Sequence, residues 1–201
     1  MDILIPCKAF ARGKSRLAGV LAPGQRAALC QTLFRHTLAE ALATGARVAV
    51  VAEDTEVADL ARTQGALVIA DPGTGLNPAL TFAAAALGGR APLILLPIDM
   101  PGLSAARLCG LPKGPGVTLV PDRRDDGTNL MVLGAVARDR FCLAYGPGSF
   151  ARHARIARDH ALPIRIWRDP DLSLDLDTPA DLAALPRALT HLIKGHSHEA
   201  A

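Results

Sequence analysis

The chain has 201 residues, half of them apolar and only 3% aromatic, with a formal net charge of +3. That length suits one domain with a full-sized hydrophobic core, and the apolar fraction excludes a disordered chain. Scarce aromatics exclude a base-stacking surface for single-stranded nucleic acid. A positive excess this small and dispersed excludes a DNA- or RNA-binding face, while suiting an anionic small molecule.

The first half alternates strand and helix signals. Residues 3–5 are a short apolar run that stops at Pro6, and a polar loop follows over residues 8–16. Pro23 opens a helical pattern to Thr44, with Leu29, Leu33, Leu38 and Leu42 at helical spacing. Gly45 ends it, and residues 48–51 read as a buried strand. Asp54 or Thr55 can cap a helix over residues 56–64, closed by Gly65. Residues 67–70 form the next strand, Asn77 can cap a helix to Ala86, and residues 93–96 form a further strand. Strands and helices at this rhythm predict βαβ units and a mainly parallel sheet with helices on both faces.

The second half is less regular. A short helix is expected over residues 104–111, and strands at 117–120 and 130–133 flank the polar loop 122–129. Ser149 can cap a helix to His160, residues 164–167 resemble a strand, and Thr178-Pro179 opens a last helix. One α/β domain over residues 1–190 is expected, with a tail over 191–201 that has no packing pattern. The longest apolar stretch, residues 91–100, is broken by Pro92, Pro97 and Asp99 and is too short to span a bilayer. Met1-Asp2 leads straight into the first strand, so no signal peptide is expected. Cys7, Cys30, Cys109 and Cys142 have no metal-ligand spacing and read as buried thiols of a cytoplasmic protein.

Six segments could carry chemistry. The loop after the first strand places Lys8, Arg12, Lys14 and Arg16 around Gly13, where open α/β sheets bind ligands. Gly13 would let the backbone approach a phosphate whose charge such cations neutralise. The spacing is not that of a Walker motif, and the alternative is a solvated basic loop. Leu95-Leu96-Pro97-Ile98-Asp99-Met100-Pro101 sends one carboxylate out of an apolar strand, where a Mg²⁺ ion would satisfy it; the alternative is a helix cap. In Leu174-Asp175-Leu176-Asp177-Thr178-Pro179, the two aspartates share a side if the segment is a strand, and a divalent ion shared with Asp99 would relieve their repulsion. Which of Asp175 and Asp177 is the primary ligand stays open, and Asp181 suits the helix's first turn for structure alone. Asp126-Gly127-Thr128-Asn129 reads as a tight turn, with a hydroxyl and an amide suited to a phosphate or carboxylate. Gly146-Pro147-Gly148-Ser149 leads into a helix N-terminus with His153 beyond, an anion site or simply a cap with a packing histidine. The loop containing Gly75 and Asn77 could touch a base or ribose, or be purely structural.

Taken in order over residues 5–182, these segments resemble the phospholactate-type guanylyltransferases of coenzyme F-420 biosynthesis. The resemblance rests on Lys14-Ser15-Arg16-Leu17, Gly75-Leu76-Asn77, Pro97-Ile98-Asp99-Met100-Pro101, Asp126-Gly127-Thr128-Asn129, Gly146-Pro147-Gly148-Ser149-Phe150 with His153, and Leu174-Asp175-Leu176-Asp177-Thr178-Pro179. It implies a three-layer αβα fold like the nucleotide-diphospho-sugar transferases, a GT-A or Rossmann-like arrangement. It implies transfer of GMP from GTP to 2-phospho-L-lactate, phosphoenolpyruvate or 3-phospho-D-glycerate, and delivery of the product to a deazaflavin-transferring enzyme. Thr128, Gly146 and Ser149 would hold the acceptor. Asp99, Lys14 and Arg16 would be catalytic, with GTP on Lys8, Arg12, Lys14, Arg16, Gly75 and Asn77. Mg²⁺ would sit on Asp99, Asp175 and Asp177. Cys7 departs from the valine-like residue expected there, without disturbing Lys8. A molybdopterin nucleotidyltransferase of the same fold is disfavoured because a Gly-Gly-x-Ser-x-Arg start is absent. A non-catalytic nucleotide-binding subunit would not need aspartates on two separate strands. The acid, the base and any homodimer stay open.

Overall fold

A computed structural model of the chain describes residues 1–185. The expected end of the domain at 190 and the tail over 191–201 lie outside the described residues. Seven strands form one sheet: β1 (Asp2–Cys7), β2 (Arg47–Ala52), β3 (Leu67–Ala70), β4 (Leu93–Leu95), β5 (Val117–Pro121), β6 (Thr128–Leu133) and β7 (Ile164–Ile166), in the order β3-β2-β1-β4-β6-β5-β7. All neighbours pair in parallel except those of β6, which runs antiparallel to both β4 and β5. The helices are α1 (Pro23–Ala43), α2 (Thr55–Thr63), α3 (Leu76–Leu87), α4 (Ala105–Gly110), α5 (Ser149–Asp159) and α6 (Pro179–Ala183).

Strand alternation divides the core in two. Ile3, Ile5, Val48, Val50 and Ile94 face α1, α2 and α4 through Phe34, Leu38, Val57, Ala61 and Leu108. Leu4, Ala49, Val51, Leu95 and Met131 face α3 and α5 through Leu80, Ala83, Ala154 and Ala157. The result is the expected three-layer αβα domain, its helix contacts built largely from alanine, which lets helices lie close on the sheet. Helix α1 buries Leu29, Cys30, Leu33, Phe34, Thr37, Leu38 and Ala41 along one stripe of helical period. A third, smaller cluster joins Leu17, Leu29 and Leu33 to Leu174, Leu176 and Leu185. It seats the basic loop and the late aspartate segment on the same part of α1.

Several local expectations need correction. Strand β1 does not stop at Pro6. The Leu4 carbonyl accepts from Leu96 N on the β4 side, and Pro6 turns its donor-less nitrogen the same way, where that ladder has ended. Neither Asn77 nor Ser149 caps its helix: Gly75 and Gly148 occupy the N-cap positions at positive φ. Residues 174–177 are irregular rather than a strand, so the two aspartates do not owe their proximity to strand alternation. Cys7 and Cys30 are buried as expected, but Cys109 and Cys142 are exposed.

The topology also positions the site. Strand order reverses between β1 and β4, so the loops leaving these two strands diverge and open a crevice, the usual ligand position in open α/β sheets. Because β6 runs the other way, its first residues, Thr128 and Asn129, arrive at the same edge where β1 and β4 end.

Candidate active site

Two contiguous cavities occupy this crevice. One, of about 640 Å³, is walled by Thr128, Gly146, Ser149, Arg124 and Asp175. The other, of about 670 Å³, is walled by Lys8, Arg12, Lys14, Gly75 and Glu53. Each has the size of a small-ligand pocket. They meet at Arg16, Asp99 and Asp177, which line both.

The basic loop folds as two short 3₁₀ turns, Phe10–Arg12 and Ser15–Leu17, hinged at Lys14 in the left-handed region with φ of 51°. At Gly13 a Cβ would lie 2.3 Å from Cys30 Sγ on α1, so a larger residue there would force the Cys30 side chain to shift. This geometry sends the Lys14 ammonium inward, 2.8 Å from Asp177 Oδ1 and 3.5 Å from Asp99 Oδ2, with its side chain only 7% exposed. Burial alone would lower the Lys14 pKa, but the facing carboxylates outweigh it and hold the ammonium above its usual range. Arg16 reaches the other Asp177 oxygen at 3.3 Å and is otherwise exposed. Arg12 is paired with Glu53, which also accepts from Ala9 N at 2.8 Å. Glu53, absent from the sequence reading, therefore pins the loop; its place just beyond β2, at the ligand edge of the sheet, is the signal that could have found it.

Asp99 leaves β4 with its carbonyl accepting from Leu176 N at 2.9 Å. The segment bearing Asp175 and Asp177 is held further by Asn129 Nδ2 donating to the Leu172 carbonyl at 3.1 Å, and by Arg107 pairing with Asp169 and Asp171. The three aspartates predicted to cooperate are thus brought together by long-range bonds. Burial, followed by the Asp99 charge, pushes the Asp175 pKa up to about 6, with Asp177 and Asp181 adding to the effect and a backbone hydrogen bond opposing it. Asp181 closes a capping box with Thr178, in the structural role expected of it. Among the described residues no group of three or more His, Cys, Asp or Glu side chains forms a ready-made metal cage.

Thr128, Gly146 and Ser149 also converge. Ser149, the first residue of α5 after the Gly148 cap, accepts from Thr128 N at its Oγ at 2.9 Å. The Gly146 turn, at φ of 132°, suits glycine and is gripped by Arg152, which donates to the carbonyls of Ala144 and Pro147. Asp126 accepts from Gly148 N at 3.2 Å, docking the 122–127 loop on this turn. That loop is itself organised by Asp122, whose carboxylate accepts from the backbone of Arg124, Asp126 and Gly127. Behind the hydroxyls, His153 is fully buried, with Nδ1 2.9 Å from Thr128 Oγ1 and Nε2 accepting from Ala144 N at 3.0 Å. Asn77 spends its amide on the Tyr145 backbone, at 2.7 and 3.1 Å, and lines neither cavity.

A doubly wound sheet carrying adjoining ligand cavities at its switch point, one of them lined by Lys8, Arg12, Lys14 and Arg16 facing as many carboxylates, has the form of a nucleotidyltransferase. A solved structure described as a nucleotide-diphospho-sugar transferase from Desulfovibrio desulfuricans G20 shares this fold, with a TM-score of 0.73 and 97% of each chain covered at 18% identity. The chain belongs to the CofC-like guanylyl transferase family, whose model matches residues 1–197. Phosphoenolpyruvate guanylyltransferase of Sphaerobacter thermophilus is 38% identical over 190 residues, 90% of each chain. The 3-phospho-D-glycerate guanylyltransferase of Phenylobacterium zucineum is 35% identical over 185 residues, 87% of this chain and 84% of that one. The protein is a nucleotidyltransferase. No helix among the described residues is long and apolar enough to cross a membrane.

Proposed function

We propose that the chain transfers GMP from GTP to a small phosphorylated acid, releasing pyrophosphate, and that the guanylylated acid passes to a deazaflavin-transferring enzyme in coenzyme F-420 biosynthesis. The observation that carries this reading is the meeting of the two cavities at Asp99, Asp177 and Arg16. GTP lies with its triphosphate against Lys8, Arg12, Lys14 and Arg16 and its nucleoside toward Gly75. The acid lies against Thr128, Gly146 and Ser149.

An oxygen of the acid's phosphate attacks the α-phosphorus of GTP. A phosphorus–oxygen bond forms there, the α–β bridging bond breaks, and pyrophosphate carries away the electron pair. The attacking oxygen is already ionised, so no general base is needed. The protein's task is to align two anions that repel each other and to neutralise charge on the departing pyrophosphate. Lys14, held charged between carboxylates, and Arg16 stand at the junction for that purpose.

The acidic residues suit a Mg²⁺ ion, which commonly takes one or two carboxylates and completes its shell with phosphate oxygens and water rather than with a protein cage. Both Asp177 oxygens already face cations, whereas the charge on Asp175 is crowded by Asp99 and, among the described residues, paired with no side chain. Asp99 and Asp175 are therefore assigned as the ion's ligands, with Asp177 orienting Lys14. When bound, the ion would supply charge neutralisation to the phosphates. The test is incubation with GTP, Mg²⁺ and each of phosphoenolpyruvate, 3-phospho-D-glycerate and 2-phospho-L-lactate, with pyrophosphate release followed and the product weighed by mass spectrometry. Absence of pyrophosphate and of guanylylated acid with all three would overturn the proposal.

A further inference from the structure

We infer that His153 is a positioning residue for the acid: as the neutral Nδ1–H tautomer it donates to the Thr128 oxygen, and so leaves the Thr128 hydroxyl proton to point at the bound anion. The inference rests on the guanylyltransferase reading above and names how its acid subsite is made selective.

The tautomer follows from the backbone. Ala144 N–H donates to Nε2 at 3.0 Å, so that nitrogen must present a lone pair and the single proton of a neutral ring must sit on Nδ1. Nδ1 lies 2.9 Å from Thr128 Oγ1 and donates to it. A hydroxyl has one proton and two acceptor positions. With one acceptor position taken by His153, the proton of Thr128 is left to turn elsewhere, and Thr128 lines the acid cavity. The neighbouring hydroxyl is set in the same way: Ser149 Oγ accepts from Thr128 N, which leaves its own proton to donate into the same cavity. The pair thus faces the acid as two donors, a match for phosphate or carboxylate oxygens, which only accept.

The ring is held for this purpose. Tyr145 meets it edge-on at 4.9 Å between centroids, and Phe141 lies at 5.7 Å. Burial, with the nearby Arg152 charge on the same helix, pushes the His153 pKa down to about 4. The groups facing it from the other elements, Thr128 on β6 and Phe141, Ala144 and Tyr145 in the preceding segment, carry no charge at neutral pH. A protonated ring would lose the Ala144 hydrogen bond, because both nitrogens would then be donors.

Two measurements test this. Long-range ¹H–¹⁵N NMR on the histidine-labelled full chain should show His153 as the Nδ1–H tautomer, with no titration between pH 6 and 8. An Nε2–H tautomer or an imidazolium at pH 7.5 overturns the inference, and this readout needs neither turnover nor a variant. In steady-state kinetics, His153→Leu should raise the acid KM by roughly tenfold or more while leaving the GTP KM unchanged, since a hydrogen bond to a charged group is affected. His153→Asn, which keeps an N–H near Nδ1, should recover most of that loss. In a Thr128→Val background, His153→Leu should add nothing further to the acid KM. Equal rises in both KM values, or an undiminished effect in the Thr128→Val background, reduce His153 to a packing residue and overturn the inference. Wild-type protein that releases no pyrophosphate with any acid overturns the guanylyltransferase reading itself, a failure visible before any variant is made.

Discussion

Ser149→Ala should produce two separable losses. Ser149 is only 2% exposed, and its Oγ is the acceptor for Thr128 N at 2.9 Å. Removing it leaves a buried backbone N–H without a partner, a cost of about 1–3 kcal/mol. No cap is lost, because Gly148 holds the N-cap position, and alanine's better helix propensity returns up to about 0.5 kcal/mol. The net loss of about 0.5–3 kcal/mol would be read by urea denaturation, or as a fall in Tm of about 2–4 °C per kcal/mol for a chain of this size. The second loss is functional. On the proposed function the hydroxyl donates to an anionic acid, an interaction that contributes about 1.5–3 kcal/mol, so the acid KM should rise by roughly 10- to 150-fold while the GTP KM stays within about twofold. Steady-state assays varying one substrate at saturating levels of the other give both numbers. A GTP KM that rises in step with the acid KM would refute the separation of the two cavities. Unchanged stability would refute the hydrogen bond to Thr128.

Three further outcomes are expected. Asp99→Asn should lower turnover by at least about 10²–10³-fold with the fold intact, because Lys14 keeps Asp177 at 2.8 Å; turnover near wild type, with folding checked by circular dichroism, would remove Asp99 from the chemistry. Asp2→Ala should cost about 3–5 kcal/mol at pH 7, since it strips the buried Arg138 of the carboxylate 2.6 Å away. Burial alone would raise the Asp2 pKa, but hydrogen bonds and charges from Arg47 and Arg138 hold it below its usual value. That contribution is therefore present above about pH 4, the unfolded value, and lost as pH falls through the lower folded-state pKa, so the mutant and wild-type urea midpoints should draw together as pH falls below about 4. Tyr145→Phe should stabilise by up to about 1 kcal/mol, because the buried Tyr145 hydroxyl has no hydrogen-bond partner among the described residues; a destabilisation of that size in urea titrations would show that the hydroxyl does have one.

Much of the fold was legible because it rests on local pattern. Helix α1 and strand β3 lie within a residue of their expected bounds, since apolar period and flanking glycine or proline define both. What pattern could not reveal was the partner of a polar side chain at a helix start. Asn77 and Ser149 are good capping residues in isolation, yet one is tied to the Tyr145 backbone and the other to Thr128 N, and glycines take over the caps. The same limit applies to Asp175 and Asp177. Their convergence with Asp99 was expected, but its cause is Asn129 and the Asp99 carbonyl holding an irregular segment across the sheet edge, not strand alternation. Glu53 and Asp122 went unnoticed because each acts on backbone N–H groups of a loop that exists only once the chain is folded.

The reversed strand β6 has a consequence for how this enzyme could change its diet. Because β6 enters the crevice from the opposite direction to its neighbours, the cavity proposed for the acid draws Thr128, Gly146 and Ser149 from one continuous stretch, residues 122–149, whereas the loop proposed to hold the triphosphate comes from residues 8–16. On the proposed function, selectivity for one acid over another is open to change within this late cassette, while the early loop assigned to the common donor stays untouched.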